Sequence, residues 1–121
     1  MDVRNLQDVP AFITKDGSQI RELLAHRNSC IKNQSLAEAT LPEGASTTPH
    51  RHWVTEEIYF ILEGEGEMLI DQEYRKVIPG DAIAIPPGRV HQISNSGRGS
   101  LRFLCCCAPA YEHDDTALNE V

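Results

Sequence analysis

The sequence is poor in the features that mark nucleic-acid-binding, membrane-spanning and secreted proteins. It carries 11 Lys and Arg against 18 Asp and Glu residues, a formal net charge of −7, and no block of basic residues. Phosphate backbones and anionic lipid surfaces are bound through clustered Lys and Arg, so we expect neither a nucleic acid nor a membrane as partner. No apolar run approaches the roughly 18 residues of a membrane span, and the first residues lack the apolar segment of a secretory signal.

Cysteine pairs with the spacing of a metal-binding motif are also lacking. The chain has four cysteines, Cys30 and a run at positions 105–107, whose spacing fits no paired zinc-binding motif. Neighbouring residues of a strand point to opposite faces, so we do not expect disulfides within the run. We interpret Cys105 and Cys107, which would share one face, as small core residues. Free thiols are typical of reducing compartments, and we therefore predict a cytoplasmic protein.

Long helical patterns and internal repeats are absent as well. Short apolar runs instead alternate with Gly, Pro, Asn and Asp, a rhythm typical of all-β sandwiches and barrels. Asp16-Gly17 between two such runs predicts a hairpin, although residues 20–26 could form a helical turn instead. A closed antiparallel barrel would remove the exposed strand edges that small β proteins must protect.

A chain of 121 residues fits a single domain. We predict three parts within it. Residues 1–34 form an N-terminal arm of strands, residues 35–108 form the barrel, and residues 109–121 form a polar C-terminal tail.

The histidines carry the chemical signal. His50 and His52 stand two residues apart, so on a strand their imidazoles share one face. Glu56 or Glu57 could add a carboxylate, and His91 could add a third imidazole. Such a mixed nitrogen and oxygen set suits Fe, Mn, Ni, Co, Cu or Zn and is too rich in nitrogen for Ca or Mg. Taken singly, each residue also has an ordinary interpretation as a hydrogen-bonded or solvated side chain.

Glycines and prolines frame these residues at fixed offsets. The stretch from Gly44 to Gly64 reads G-x5-HRH-x4-E-x6-G, and the stretch from Gly80 to Asn95 reads G-x5-PPG-x2-H-x3-N. The first stretch resembles the first sequence motif of the cupin family, and the second resembles its second motif. Every defined position of both motifs is filled, and the two motifs stand in the expected order.

The resemblance implies a fold and a metal site. The fold would be all-β, a single antiparallel double-stranded β-helix of the jelly-roll or cupin type with little helix. His50, His52, Glu57 and His91 would hold one divalent transition metal (Fe, Mn, Ni, Zn, Co or Cu). Strand alternation agrees in part, because an inward Glu57 leaves Glu56 outside. Small cupins similar to this one usually form homodimers, in which the residues before position 33 could be exchanged.

One lumen residue is a candidate for catalysis. If Glu57 points inward, Tyr59 does so too, and its hydroxyl could lie near a substrate. The alternative is a tyrosine packed in the core with a satisfied hydroxyl.

The predicted site supports three hypotheses of function. Three neutral imidazoles and one carboxylate leave a divalent ion at about +1, with two positions free in an octahedron, so the site would attract anions and polarise oxygen atoms. The leading hypothesis is a metal-dependent enzyme acting on a small, oxygen-rich, anionic substrate, first as a dioxygenase and next as a sugar isomerase or lyase. The second is a non-catalytic module that binds a small ligand such as a sugar. The third is a structural barrel with vestigial ligands, against which the intact ligand set argues.

Overall fold

The computed structural model describes residues 1–118, and over that range the regular secondary structure is almost entirely β-strand. No helix among these residues is long and apolar enough to cross a membrane. One short 3-10 helix, Leu6–Asp8, precedes the first strand, and another, His113–Asp115, precedes the last. The strands are β1 (Phe12–Ile13), β2 (Gln19–Leu24), β3 (Ser35–Leu41), β4 (His50–His52), β5 (Glu56–Glu63), β6 (Gly66–Ile70), β7 (Glu73–Val77), β8 (Ala82–Ile85), β9 (His91–Asn95), β10 (Leu101–Ala108) and β11 (Thr116–Leu118).

The strands form two antiparallel sheets that share one core. The first sheet has the order β1-β2-β3-β10-β5-β8, and the second has the order β11-β4-β9-β6-β7. Buried side chains from both sheets belong to a single cluster, for example Ile61 and Phe103 from the first and Met68 and Ile93 from the second. The predicted all-β jelly-roll barrel is confirmed.

Strict alternation along β5 and β10 decides which residues enter the barrel. In β5, Glu57 and Tyr59 are buried while Glu56 is exposed, as strand parity predicts. In β10, Cys105 and Cys107 are buried beside Phe103. Burying a side chain such as Phe103 stabilises the fold by about 1.5–3 kcal/mol. The same alternation that builds the core therefore also brings a carboxylate and two thiols into the lumen.

The N-terminal hairpin closes one side of the barrel. Its turn carries Gly17 at φ +93°, in the left-handed region where glycine is favoured. The predicted hairpin at Asp16-Gly17 is confirmed, and the alternative of a helical turn over residues 20–26 is not realised. Strand β2 pairs with β3 of the same chain along most of its length, which satisfies its backbone groups without a helix.

The end of the described chain differs from the polar tail predicted from residue 109 onward. Thr116–Leu118 form β11 and pair with β4, with Thr116 opposite His52 and Leu118 opposite His50. Backbone pairing needs no apolar side chains, so the polar composition concealed a strand. Residues 119–121 of the predicted tail lie outside the described residues.

Two motif glycines differ in what surrounds them. This difference predicts that alanine lowers the free energy of unfolding by different amounts at the two positions. Gly64 has φ +85°, and a Cβ built on it would lie 2.5 Å from the carbonyl oxygen of Ser100. Gly80 has φ +95°, but no heavy atom would lie within 4 Å of its Cβ. We expect Gly80→Ala to lower the free energy of unfolding by about 1 kcal/mol, because of positive φ alone. Gly64→Ala should lower it by about 3 kcal/mol, because the backbone must also move.

Urea denaturation of the metal-free protein, followed by circular dichroism, measures both values. Equal losses in the two variants would contradict the close approach of Ser100 to Gly64.

Candidate metal centre

The three motif histidines come together because two short strands are neighbours in the second sheet. His50 and His52 lie on β4, and His91 begins β9. The two strands pair antiparallel with His50 directly opposite His91. Facing residues of a pair have neighbouring side chains, and the ring centroids of His50 and His91 are 4.2 Å apart.

The imidazoles form a compact buried cluster. One ring nitrogen from each of His50, His52 and His91 lies within 4.8 Å of the others. All three side chains are buried, and His91 is 0% exposed. This cluster could hold a metal ion.

The protons on two of the rings are fixed by backbone carbonyls. Nδ1 of His50 lies 2.7 Å from the carbonyl oxygen of Thr48, and Nδ1 of His91 lies 3.1 Å from that of Arg89. A carbonyl oxygen can only accept, so each Nδ1 carries the donated proton. In the neutral ring Nε2 then holds a lone pair, which is the form in which histidine binds a metal.

The third ring is fixed by a hydroxyl on β11. Nδ1 of His52 lies 2.9 Å from Oγ1 of Thr116, and that hydroxyl donates to the carbonyl oxygen of Glu112 at 3.1 Å. A hydroxyl has one proton, so Thr116 accepts the bond from His52. Sequence reasoning missed Thr116, because nothing in its polar surroundings marks a strand or a partner for a histidine.

Glu57 brings a carboxylate to the same place. It is 5% exposed, and its Oε1 lies 3.2 Å from Nε2 of His52 and 3.6 Å from Nε2 of His91. Its other oxygen, Oε2, accepts a bond from the thiol of Cys107 at 3.1 Å. Cys107 in this role was also missed by sequence reasoning, which assigned it to the core alone.

Two of these buried atoms have no partner. Among the described residues, Oε1 of Glu57 and Nε2 of His91 are buried and make no hydrogen bond. An unsatisfied buried polar atom costs about 1–3 kcal/mol. A single cation bound between them would satisfy both atoms, so the residues present fit a metal ion.

The protonation states also suit metal binding at neutral pH. Burial, together with the neighbouring His91, lowers the pKa of His50 to about 4, so this ring is neutral. Burial alone would raise the pKa of Glu57, and it falls to about 2 only when the His52 and His91 rings donate to the carboxylate, that is, when they carry a proton on Nε2. His50 is therefore a metal donor near pH 7 without first losing a proton, and Glu57 becomes one when a cation takes the place of those ring protons.

Tyr59 lies in the lumen, as strand parity predicts. Its ring centroid is 4.6 Å from that of Phe103 and 5.9 Å from that of His91. Burial and the nearby Glu57 carboxylate raise the pKa of Tyr59 well above its usual value, so its hydroxyl keeps its proton. Its ring packs in the core, and its hydroxyl is at most a hydrogen-bond donor. A catalytic role for Tyr59 stays a prediction.

A small cavity of about 50 Å³ adjoins the cluster. Its wall is shared by the first sheet, the N-terminal hairpin and the histidine cluster, and it includes Asp16, His50, His52, Glu57, Tyr59 and Cys107. Asp16 was missed as a site residue, since the Asp-Gly pair was fully explained by its turn.

The comparison with known proteins agrees with this geometry. The Cupin_2 family, described as a cupin domain, matches residues 37–107. An uncharacterised protein of Methanocaldococcus jannaschii is 49% identical over 112 residues, which are 93% of this chain and 90% of that protein. An oxalate-binding protein of Thermotoga maritima is 31% identical over 109 residues, which are 86% of this chain and 90% of that protein.

Solved structures share the architecture. The crystal structure of a predicted oxalate decarboxylase from Thermotoga maritima is similar with a TM-score of 0.78 and 27% identity, and the match covers 89% of this chain and 99% of that one. The polyketide cyclase RemF of Streptomyces resistomycificus is similar in fold, with a TM-score of 0.83 and 24% identity over 100% of this chain and 87% of that one. The barrel, the two filled motifs and the family match over residues 37–107 together show that this chain belongs to the cupin family.

Proposed function

We propose that this cupin is a metal-dependent enzyme in which His50, His52, His91 and Glu57 hold one divalent transition metal. The observation that carries the proposal is a buried group of three imidazole nitrogens with the Glu57 carboxylate beside two of them, where Oε1 of Glu57 and Nε2 of His91 have no hydrogen-bond partner among the described residues. The residues' own role is to hold the ion and to exclude water from it. When bound, the ion supplies a Lewis acid that polarises an oxygen atom of the substrate.

The size of the cavity favours a small substrate. A water molecule needs at least about 10–15 Å³ of such space, whereas pockets for drug-sized ligands measure about 300–1,000 Å³. A cavity of about 50 Å³ therefore encloses only a few heavy atoms. A sugar, as an isomerase or lyase would require, would have to extend out of the lumen.

Charge and similarity favour an oxygen-rich acid. Three neutral imidazoles and the Glu57 carboxylate leave a divalent ion at about +1, which attracts an anion. Two similar proteins of Thermotoga maritima are described as an oxalate-binding protein and a predicted oxalate decarboxylase. Oxalate is small, anionic and rich in oxygen, so it is the first probe for this site.

Oxidation by dioxygen is the reaction class to test first. The cavity has room for dioxygen or for a substrate of a few atoms. Apolar side chains such as Phe103 and Ala39 line the cavity. The protonated hydroxyl of Tyr59 would donate a hydrogen bond to a substrate oxygen. We assign it no transfer of a proton, because burial keeps that proton in place.

A binding module is the second candidate. The buried hydroxyl of Tyr59 holds its proton too firmly to act as a general base near pH 7. Capture of a small ligand on the metal needs no such base. The two candidates differ in whether the ligand is recovered unchanged.

A second copy of the chain is the proposed partner. On the outer face of β5, Ile58, Phe60 and Leu62 are all exposed. Contiguous apolar surface of this kind is unusual on a monomer and typical of interfaces. We therefore propose that two copies pack through this sheet in a twofold homodimer.

Localisation in the cytoplasm also stays a proposal. All four cysteines are free thiols, which favours a reducing compartment. The net charge of −7 continues to argue against a nucleic acid or an anionic membrane as partner.

The first prediction from this proposal concerns metal content. Tag-free protein should carry about one transition metal per chain by elemental mass spectrometry. His91→Ala should lose it, because it removes a central donor. His113→Ala is the matched control, since His113 is exposed outside the site, and it should keep the metal. Wild-type protein without metal after incubation with Fe, Mn, Ni and Zn would contradict the proposal and favour a structural barrel.

The second prediction separates catalysis from capture. Metal-loaded protein should bind oxalate in a calorimetric titration, and His91→Ala should not. Small oxyacids are then screened with and without dioxygen while an oxygen electrode and mass spectrometry follow the mixture. Consumption of dioxygen or formation of product supports the enzyme. Binding with quantitative recovery of every ligand would contradict the enzyme and support the binding module.

The third prediction tests the bond from His52 to β11. Thr116→Val keeps the shape of the side chain but removes the acceptor for Nδ1 of His52, so metal affinity should fall by about 10–100-fold. Thr116→Ser keeps the hydroxyl and should restore most of the affinity. Competition with a chelator measures both, and unchanged affinity in Thr116→Val would refute this role for β11.

The fourth prediction tests the dimer. Light scattering should give a dimer mass for the wild type and a monomer mass for Phe60→Glu, because a charge cannot be buried at the contact. Tyr74→Glu is the matched control, since Tyr74 is an exposed aromatic residue on β7 of the other sheet. A monomeric wild type, or equal dissociation by both variants, would argue against the proposed face.

A further inference from the structure

Asp16 places a second carboxylate at the histidine cluster. It lies in the turn between β1 and β2, far from both sequence motifs, and is only 9% exposed. Its Oδ1 accepts bonds from the backbone nitrogen of Ser18 at 2.9 Å and from the Ser18 hydroxyl at 2.6 Å. Its Oδ2 lies 3.3 Å from Nε2 of His50. One oxygen is therefore fixed by the turn, and the other is directed at the cluster.

The hairpin and the histidine are tied to the same residue. The backbone nitrogen of Thr48 donates to the carbonyl oxygen of Asp16 at 2.7 Å. The carbonyl oxygen of Thr48 in turn accepts from Nδ1 of His50. The backbone of Thr48 therefore binds both Asp16 and His50, and these two hydrogen bonds fix the position of one residue relative to the other.

The facing atoms of Asp16 and His50 are both electron-pair donors. Nδ1 of His50 carries the proton given to Thr48, so Nε2 of the neutral ring has a lone pair. Oδ2 of Asp16 also presents lone pairs, and neither atom can donate to the other. On the other side of the cluster, Oε1 of Glu57 faces Nε2 of His52 in the same way at 3.2 Å.

The distance between Asp16 and His50 is that of two neighbouring ligands on one ion. Metal–nitrogen and metal–oxygen bonds of about 2.0–2.2 Å place neighbouring donors about 3.0 Å apart at right angles and about 3.4 Å apart in a tetrahedron. The distance of 3.3 Å from Asp16 to His50 falls within the same range as those of 3.2 and 3.6 Å from Glu57 to His52 and His91. Asp16 therefore approaches one histidine of the cluster at ligand spacing, whereas Glu57 approaches two.

We propose that Asp16 is a fifth donor to the metal, supplied by the N-terminal hairpin. The proposal rests on the metal site described above and adds to it. Two carboxylates balance the charge of a divalent ion, and five donors leave one position of an octahedron for an outside ligand. The site then prefers a neutral or singly charged ligand bound through one oxygen atom. A chelating dianion such as oxalate has to displace Asp16.

Asp16→Asn is the direct test. Its amide oxygen still accepts from Ser18, so the turn is kept, while the amide group offers no carboxylate oxygen to the metal. Affinity for Co²⁺ and Zn²⁺, measured by competition with a chelator, should fall by about 100-fold or more. Removal of a residue that only hydrogen-bonds to a metal ligand already lowers metal affinity by about 10–100-fold. The visible absorption of the Co²⁺ protein should also change, because one oxygen donor is lost. Once loaded, Asp16→Asn should bind oxalate more tightly than the wild type.

Two further variants keep the test decisive. Asp81→Asn is the matched control, because Asp81 also accepts from a backbone nitrogen in a turn, that of Ile78 at 2.9 Å, but does not line the cavity. It should leave affinity and absorption unchanged. If Asp16→Asn does not fold by circular dichroism, Ser18→Ala replaces it. That variant removes one bond to Oδ1 and should weaken metal binding by about 10-fold.

The outcomes distinguish this inference from the proposed function. Wild-type affinity and an unchanged Co²⁺ spectrum in Asp16→Asn would overturn the role of Asp16 and leave the four-residue site intact. A wild-type protein that binds no metal would overturn both.

Discussion

The structure of the site depends on three hydrogen bonds that hold protons on Nδ1 of the histidines. Thr48 and Arg89 accept two of them through backbone carbonyls, and the Thr116 hydroxyl accepts the third. Each bond fixes both the orientation of the ring and the position of its lone pair. Because the three Nε2 atoms then converge in a buried space, the protein presents electron-pair donors that only a cation can satisfy together.

The barrel supplies what these bonds require. Strand β4 lies between β9 and β11 in the second sheet, so the same ladder that pairs the strands also sets His50 against His91 and His52 against Thr116. The first sheet contributes Glu57 from β5 and the Cys107 thiol that holds it from β10. The core cluster, drawn from both sheets, keeps these elements at fixed distance and leaves a cavity of only about 50 Å³ beside the cluster. This small volume limits an enclosed ligand to a few heavy atoms.

The sequence predicted the barrel and singled out the three histidines that the fold brings together, because strand alternation and motif spacing are local properties of the chain. It could not predict the groups that act on them from a distance. His52 and Thr116 are 64 positions apart, and the residues around Thr116 look like a polar tail. Asp16 and Cys107 each had a sufficient ordinary explanation, as a turn residue and as a core residue. Only the folded chain shows that Oδ2 of Asp16 lies beside His50 and that the Cys107 thiol donates to Glu57.

X-ray absorption spectroscopy at the metal edge of the loaded wild-type protein is the decisive measurement. It reports the number and type of atoms bound to the metal, including the imidazole rings. We expect three imidazole nitrogens and carboxylate oxygen at about 2.0–2.2 Å, with no sulfur, because the Cys107 thiol donates to Oε2 of Glu57. A sulfur atom at about 2.3 Å, or fewer than three imidazoles, would contradict the proposed site.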